Sequence, residues 1–216
     1  NKLVLIFHKG SPMEHSLKNL ITFSSSRQDS LKHQKIQSFH YDHSGHVVAT
    51  NSHVLFATKK PWEIEKAGRT YSKFEFEKGS FVEAELEFPS WKQFIPQESG
   101  RKITIKVPAW FELFKKEDYS ATMVLDYTDI TEPFFKISES TSETSLGFNA
   151  KYLACFANEE ITVLVTSPLS PAIIVCKDSD IDPLSLHFKD EVLKEDWFYI
   201  LMPIKLDEDL SDEVYL

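Results

Sequence analysis

The sequence predicts an α+β protein of two small domains, in which helices lie on one face of antiparallel sheets. Strand-like segments outnumber helical ones, and the order of a strand, a helix and several strands occurs twice. The chain shows no βαβ alternation and no glycine-rich loop, and it holds six glycines in all. These features argue against a doubly wound nucleotide-binding fold. A length of 216 residues leaves room for two domains of about 100 residues each.

Three segments have the features of helices, at residues 12–23, 109–116 and 150–157. Pro12 and Pro108 stand at or just before the first turn of the first two, where a helix tolerates proline. Apolar residues recur at helical spacing in each segment.

The strand-like segments show apolar residues in alternation or in short runs, bounded by turn residues. A strand that alternates in this way is buried on one face of a sheet. They lie at residues 3–7, 36–41, 47–50, 54–57, 74–76, 81–88, 103–107, 121–127, 134–137, 161–166, 172–177 and 197–203.

The composition is that of a globular protein with a core, since 42% of residues are hydrophobic and 26% are charged. The longest apolar runs are far shorter than the roughly 20 residues of a membrane-spanning helix. The N-terminal apolar run is too short for a secretory signal. Cys155 and Cys176 each lie in an apolar run, which is typical of buried, reduced thiols. We therefore expect a cytoplasmic protein.

Charge is distributed unevenly along the chain. Residues 1–60 carry eight lysines and arginines against three acidic residues, a net charge of +5. Residues 111–216 carry eight against twenty-two, a net charge of −14. The basic part either faces a polyanion or results from an ordinary uneven distribution of surface charges. The charge pattern alone leaves both interpretations open.

Three histidines at a spacing of three raise the question of a metal site: His40, His43 and His46. A four-residue DHSG turn would place Tyr41 opposite His46 in a hairpin. Side chains alternate across a strand, so the three imidazoles could not converge on one ion. We expect solvated histidines on this hairpin and no metal.

Catalytic motifs are missing from the sequence. HExxH, GxSxG and P-loop patterns are absent, and no local pattern links serine, cysteine and histidine. The sequence therefore predicts a protein that is not an enzyme and that holds no cofactor.

Three parts of the chain resemble bacterial sliding clamps, the β subunit of DNA polymerase III. The segment VVATNSHVLFA at 47–57 is similar to the clamp run V-A-T-D-G-H-R-L, and FPSWKQFIP at 88–96 to F-P-D-Y-R-x-x-x-P. The segment FNAKYLACFAN at 148–158 is similar to the clamp helix F-N-x-x-Y-L-x-D. The runs ITVLVTSPLSPAIIV at 161–175 and YILMPIKL at 199–206 follow it in the clamp order.

The chain also departs from the clamp pattern. Asn51 and Ser52 stand where clamps have Asp and Gly, Val54 replaces Arg, and Gln93 stands where Arg is usual. Two domains fit in this chain, whereas a bacterial clamp subunit has three. The resemblance is that of a shortened, divergent relative.

The resemblance implies a DNA-clamp-like fold with a shortened first domain at 1–95, a C-terminal domain at 96–206 and an acidic tail at 207–216. It implies a non-catalytic DNA polymerase processivity factor, or a partner-binding scaffold. Six domains close a clamp ring, so a homo-oligomeric ring would be a trimer. Two alternatives stay open: a clamp-fold protein-binding module without DNA, and an unrelated α+β enzyme acting on a small molecule.

The resemblance also implies two binding surfaces. The first is a cleft for linear peptides of polymerase or loader proteins, formed by Thr50, His53, Val54, Leu55, Pro89, Gln93, Phe94, Ile200, Leu201, Met202, Pro203 and Ile204. The second would meet double-stranded DNA without sequence preference, through the basic residues Lys9, Lys18, Arg27, Lys32, Lys35, Lys92, Lys115, Lys116 and Lys151.

Overall fold

The computed structural model describes residues 38–59, 67–72, 87–97, 100–115, 122–126, 134–137, 145–167 and 169–204. The predicted helix at 12–23 and the predicted strands at 3–7 and 74–76 lie outside these ranges, as does most of the one at 81–88. The chain divides into two compact units, residues 1–90 and residues 91–216.

Four antiparallel strands make up the described part of the first unit. They are β1 (Ser38–Tyr41), β2 (His46–Thr50), β3 (Val54–Lys59) and β4 (Thr70–Ser72), in the order β4-β1-β2-β3. Both β2 and β3 are buried along nearly their whole length rather than at every second residue. Both faces of these strands are therefore shielded from water, which explains their continuous apolar runs.

The β1–β2 hairpin corrects the predicted register. Tyr41 pairs with Val47, not with His46. The Asp42 amide donates to the His46 carbonyl over 2.8 Å, so the loop has three residues rather than four. Gly45, with a φ of 85°, supplies the left-handed residue that closes such a loop.

A second four-stranded antiparallel array lies in the second unit. It contains β5 (Arg101–Lys106), β9 (Glu160–Val165), β10 (Ala172–Cys176) and β11 (Trp197–Leu201), in the order β11-β10-β9-β5. The same unit holds a three-stranded antiparallel sheet of β6 (Thr122–Asp126), β7 (Phe134–Ile137) and β8 (Ser145–Asn149), with β6 in the centre.

The described helices are short and all lie in the second unit. Trp91–Phe94 and Ala109–Lys115 are 3-10 helices, while α1 (Ala150–Leu153) continues into a third 3-10 helix at Ala154–Phe156. The last helix, α2 (Phe188–Val192), was not predicted. The side chain of Asn149 caps α1 by accepting a hydrogen bond from the Lys151 amide over 3.0 Å.

The helices at 109–115 and 150–156 contact each other, and the second of them packs on β11. The rings of Phe156 and Tyr199 meet edge to face with centroids 5.2 Å apart. Phe198 points to the opposite side of β11, where its ring lies 5.9 Å from that of Trp91. Aromatic side chains therefore cover both faces of this strand.

Among the residues that the structure describes, no helix is long and apolar enough to cross a membrane.

Candidate functional site

The tight β2–β3 hairpin carries four of the residues predicted to bind peptide. Thr50 and Leu55 face each other across the hairpin, and the Thr50 hydroxyl donates to the Val54 carbonyl over 2.7 Å. Asn51 organises the turn, because its side-chain oxygen accepts from the amides of His53 at 3.1 Å and Val54 at 3.0 Å. Asparagine and aspartate are suited to this role in turns.

Ser52 occupies the position where clamps have glycine, and its backbone reflects that. Its φ is 77°, in the left-handed region that favours glycine. Its amide donates to the Thr50 hydroxyl over 3.2 Å, which helps to hold this conformation. The turn geometry thus supports the alignment of this segment with the Asp-Gly turn of clamps.

Burial divides the residues of this hairpin into two groups. Val54 and Leu55 are 1% and 4% exposed and belong to the core of the first unit. Thr50 is half-buried and His53 is exposed. Pro89, which lies at the end of the same unit, is half-buried.

The 3-10 helix at Trp91–Phe94 carries Gln93 and Phe94. Gln93 is exposed, and Phe94 is unusual for a phenylalanine because 39% of its surface reaches water. Trp91, which is 3% exposed and contacts Phe198, anchors this helix to β11. The anchor holds Phe94 on an ordered backbone at the surface.

The end of β11 carries the remaining five candidates. Ile200 and Leu201 are buried in the core, whereas Met202, Pro203 and Ile204 are half-buried. The Ile204 amide donates to the Gly147 carbonyl over 2.8 Å, which joins this segment to β8.

The structure therefore places five of the twelve cleft candidates in the first unit and seven in the second. Within each unit they divide into core residues and residues that reach the surface. Eight of them are exposed or half-buried, namely Thr50, His53, Pro89, Gln93, Phe94, Met202, Pro203 and Ile204. That the candidates of the first unit and those of the second form a single cleft stays a prediction.

Most of the predicted DNA-facing residues lie outside the described ranges, namely Lys9, Lys18, Arg27, Lys32, Lys35 and Lys116. The Lys92 ammonium lies 5.5 Å from the centre of the Trp91 ring. Lys151 is exposed on α1, and Lys115 ends the 3-10 helix at Ala109–Lys115.

This 3-10 helix presents an apolar stripe that the sequence analysis missed. Residues three apart stack on one face of a 3-10 helix. Trp110 and Leu113 share such a face and are 43% and 66% exposed, while Phe111 is fully buried. The sequence shows that these residues are apolar, but which apolar residues of the helix reach water depends on tertiary packing.

The histidines are not all solvated, which corrects the expectation for the hairpin. His46 is fully buried with its ring nitrogen 3.0 Å from the Ser44 hydroxyl. The His40 ring stacks on that of Phe88 at 5.2 Å and bonds to Thr70. Since the loop has three residues, His46 begins β2 and turns into the core. No three metal-ligating side chains form a cluster within the described part of the chain.

Comparisons with known proteins give different results for sequence and for structure. No protein-family model matches the chain, and no curated protein matches it either. Solved structures do match. The β subunit of DNA polymerase III from Thermotoga maritima aligns with a TM-score of 0.60 at 15% identity, over 96% of this chain and 69% of that one.

Two further sliding clamps match to a similar degree. That of Bartonella birtlesii, bound to griselimycin, aligns with a TM-score of 0.58 at 14% identity, over 94% of this chain and 68% of that one. That of Caulobacter crescentus aligns with a TM-score of 0.56 at 14% identity, over the same shares. The chain has the fold of bacterial sliding clamps, as the sequence motifs predicted.

Proposed function

We propose that this protein is a sliding-clamp-like processivity factor or scaffold, which holds partner proteins through linear peptides and does no chemistry. The observation that carries the proposal is the clamp fold, matched over 94% or more of the chain. The role requires binding surfaces and no catalytic group. It would place the protein with the replication machinery in the cytoplasm.

Features of the second unit support the peptide-binding part of the proposal. The exposed edge of Phe94 and the half-buried Met202 are apolar groups held on ordered backbone. Methionine adapts to varied apolar partners, and an extended peptide can insert its side chains between such groups. Val54 replaces a clamp arginine and is buried, so we expect the preferred peptide to be less acidic than a clamp peptide.

The DNA-binding part rests on the +5 charge of residues 1–60. Binding to phosphates by such a surface would be independent of sequence and sensitive to salt. A second candidate function is a clamp-fold protein-binding module without DNA. The exposed Trp110 and Leu113 favour it, because apolar side chains on the 3-10 helix contribute nothing to phosphate binding.

The test compares retention on closed circular DNA with retention on the same DNA after linearisation. A ring that encircles DNA stays on the circle at raised salt and slides off the linear ends. The triple variant K18E/K32E/K35E should lose binding at low salt, because it reverses three charges in the basic part. Equal retention on both DNA forms, or none at low salt, would rule out the encircling role.

A parallel measurement addresses the protein-binding module. Griselimycin, which the Bartonella birtlesii clamp binds, serves as the probe together with a hydrophobic clamp-binding peptide. Binding of either probe without DNA retention would select the second candidate. If the protein binds neither DNA nor griselimycin nor the peptide, both candidate functions are ruled out, while the clamp fold is unaffected by the result.

A further inference from the structure

An acidic segment between β10 and β11 has no part in the proposed function. Residues 178–196, called the acidic lobe here, contain seven aspartates and glutamates against two lysines, a net charge of −5. The lobe holds α2 and returns the chain to the start of β11. It lies wholly within the second unit.

Buried contacts anchor the lobe. Ile181, Phe188 and Val192 are at most 4% exposed, so the lobe buries three apolar side chains. The ammonium of Lys102, on β5, donates to the carbonyls of Ser179 at 2.5 Å and Ile181 at 3.2 Å. The charged group of Lys102 thus ties the lobe to β5.

The loop before α2 is held by a network centred on Glu191. One carboxylate oxygen accepts from the Ser185 hydroxyl at 2.6 Å, and the other accepts from the Asp182 amide at 3.1 Å. The Asp182 carboxylate in turn accepts from the Leu184 amide at 3.0 Å. These bonds fix the backbone on both sides of Leu184.

The same network turns Ser185 inward and leaves its two neighbours facing water. Leu184 is 77% exposed and Leu186 is 96% exposed, the two highest values among the large apolar side chains described. Single exposed leucines are common, but two on one hydrogen-bonded loop form a shared apolar projection. A rigid loop loses little conformational entropy when a partner covers it.

The lobe that carries this projection also has exposed carboxylates. Asp178, Asp180, Asp182 and Asp190 are all exposed, whereas the Glu191 carboxylate is used inside the lobe. A partner that buries the leucines brings its own surface close to these charges. Complementary positive charge on that surface would speed association and exclude acidic proteins.

We propose that the acidic lobe is a docking surface for a protein partner with an apolar surface bordered by lysine and arginine. Leu184 and Leu186 contact the apolar surface, and the carboxylates of the lobe pair with the basic residues at its border. The surface shares no residue with the candidate peptide cleft or with the basic residues proposed to meet DNA.

The test uses the full chain and a labelled basic peptide of leucine and lysine, with leucines at helical spacing, followed by fluorescence anisotropy. The variant L184S/L186S should raise the Kd about tenfold or more, because it removes both apolar groups. D178N/D180N should raise the Kd at low salt and flatten its dependence on salt. L169S, at a leucine that is 71% exposed on another loop, should bind as wild type does.

Four outcomes contradict the proposal, and the first three concern the peptide. They are failure of the wild type to bind the peptide, an unchanged Kd for L184S/L186S, and an equal loss for L169S. If the wild type self-associates and L184S/L186S abolishes this, the partner is a second copy of the chain. The proposal of a basic partner would then be wrong. Thermal unfolding checks the fold of each variant. If the double variant is unstable, the single variant L186S takes its place in the binding measurement. DNA retention is measured separately, so its failure leaves this result unaffected.

Discussion

The hydroxyl of Tyr199 donates a hydrogen bond to the backbone carbonyl of Tyr152 over 2.9 Å. This bond joins the centre of β11 to α1, and the Cys155 thiol donates to the same carbonyl over 3.3 Å. Tyr199 is fully buried, so its phenol has exchanged water for protein neighbours that include this carbonyl and the Phe156 ring. The helix pair and the sheet of the second unit meet at this point.

Alkaline pH should destabilise the protein through Tyr199. Burial raises the pKa of Tyr199 well above its usual value, with smaller contributions from Cys155 and Tyr152. The phenol therefore stays protonated in the folded state after it has ionised in the unfolded chain. The stability is fully present below the unfolded pKa of about 10 and falls by up to about 1.4 kcal/mol per pH unit above it.

The variant Y199F isolates this effect. It should lose about 1 kcal/mol at neutral pH, since the Tyr152 carbonyl loses a partner. Its unfolding free energy should fall less steeply than that of the wild type above pH 10 or so. Parallel pH profiles of the two proteins in urea denaturation would contradict the prediction.

Ser52→Gly should stabilise the first unit. A φ of 77° is costly for serine and free of strain for glycine. Glycine also increases the entropy of the unfolded chain, which offsets part of this benefit. We expect the free energy of unfolding, measured by chemical denaturation, to rise by up to about 1 kcal/mol. Ser90→Gly is the matched control, because Ser90 is exposed without a positive φ and should gain nothing.

Phe94→Ala and Met202→Ala should weaken binding of a hydrophobic clamp-binding peptide more than they weaken the fold. Both side chains are partly exposed, so we expect a stability loss of about 1 kcal/mol or less from each. Trp91→Ala, at a buried position, should cost about 3–5 kcal/mol. If Phe94→Ala and Met202→Ala cost as much as Trp91→Ala, and the wild type binds no peptide, these residues are core.

Lys102→Met should loosen the acidic lobe without unfolding the sheet. The change removes the hydrogen bonds from the ammonium to the carbonyls of Ser179 and Ile181. Hydrogen exchange of the Leu184 and Ser185 amides should then become about tenfold faster, since bonds from charged donors contribute more than neutral ones. Lys106→Met, an exposed lysine on the same strand, should leave these rates unchanged.

A closed ring should contain three chains. If each of the two compact units acts as one clamp domain, a ring of six domains needs three chains. Multi-angle light scattering at micromolar concentration should therefore give three times the mass of one chain. Observing a monomer at that concentration would rule out a closed ring but would not bear on the clamp fold.

Local features of the sequence determined much of the second unit. The strands at 103–107, 134–137, 161–166 and 172–177 were predicted within two residues of their observed limits, because their apolar patterns and flanking turn residues are local. The turn at Asn51 and Ser52 was also readable, since both residue types suit turns. These signals, with the order of the motifs, were enough to indicate the clamp fold.

Tertiary structure alone decided several other features. The register of the β1–β2 hairpin depends on the loop length that Gly45 allows, and this choice buried His46. The helix α2 has five residues, too few to form by propensity, and is stabilised by burial of Phe188 and Val192. The exposure of Leu184 and Leu186 follows from the Glu191 network, whose partners are separated by up to nine residues. Such contacts depend on how the chain packs, and no local pattern of residues encodes them.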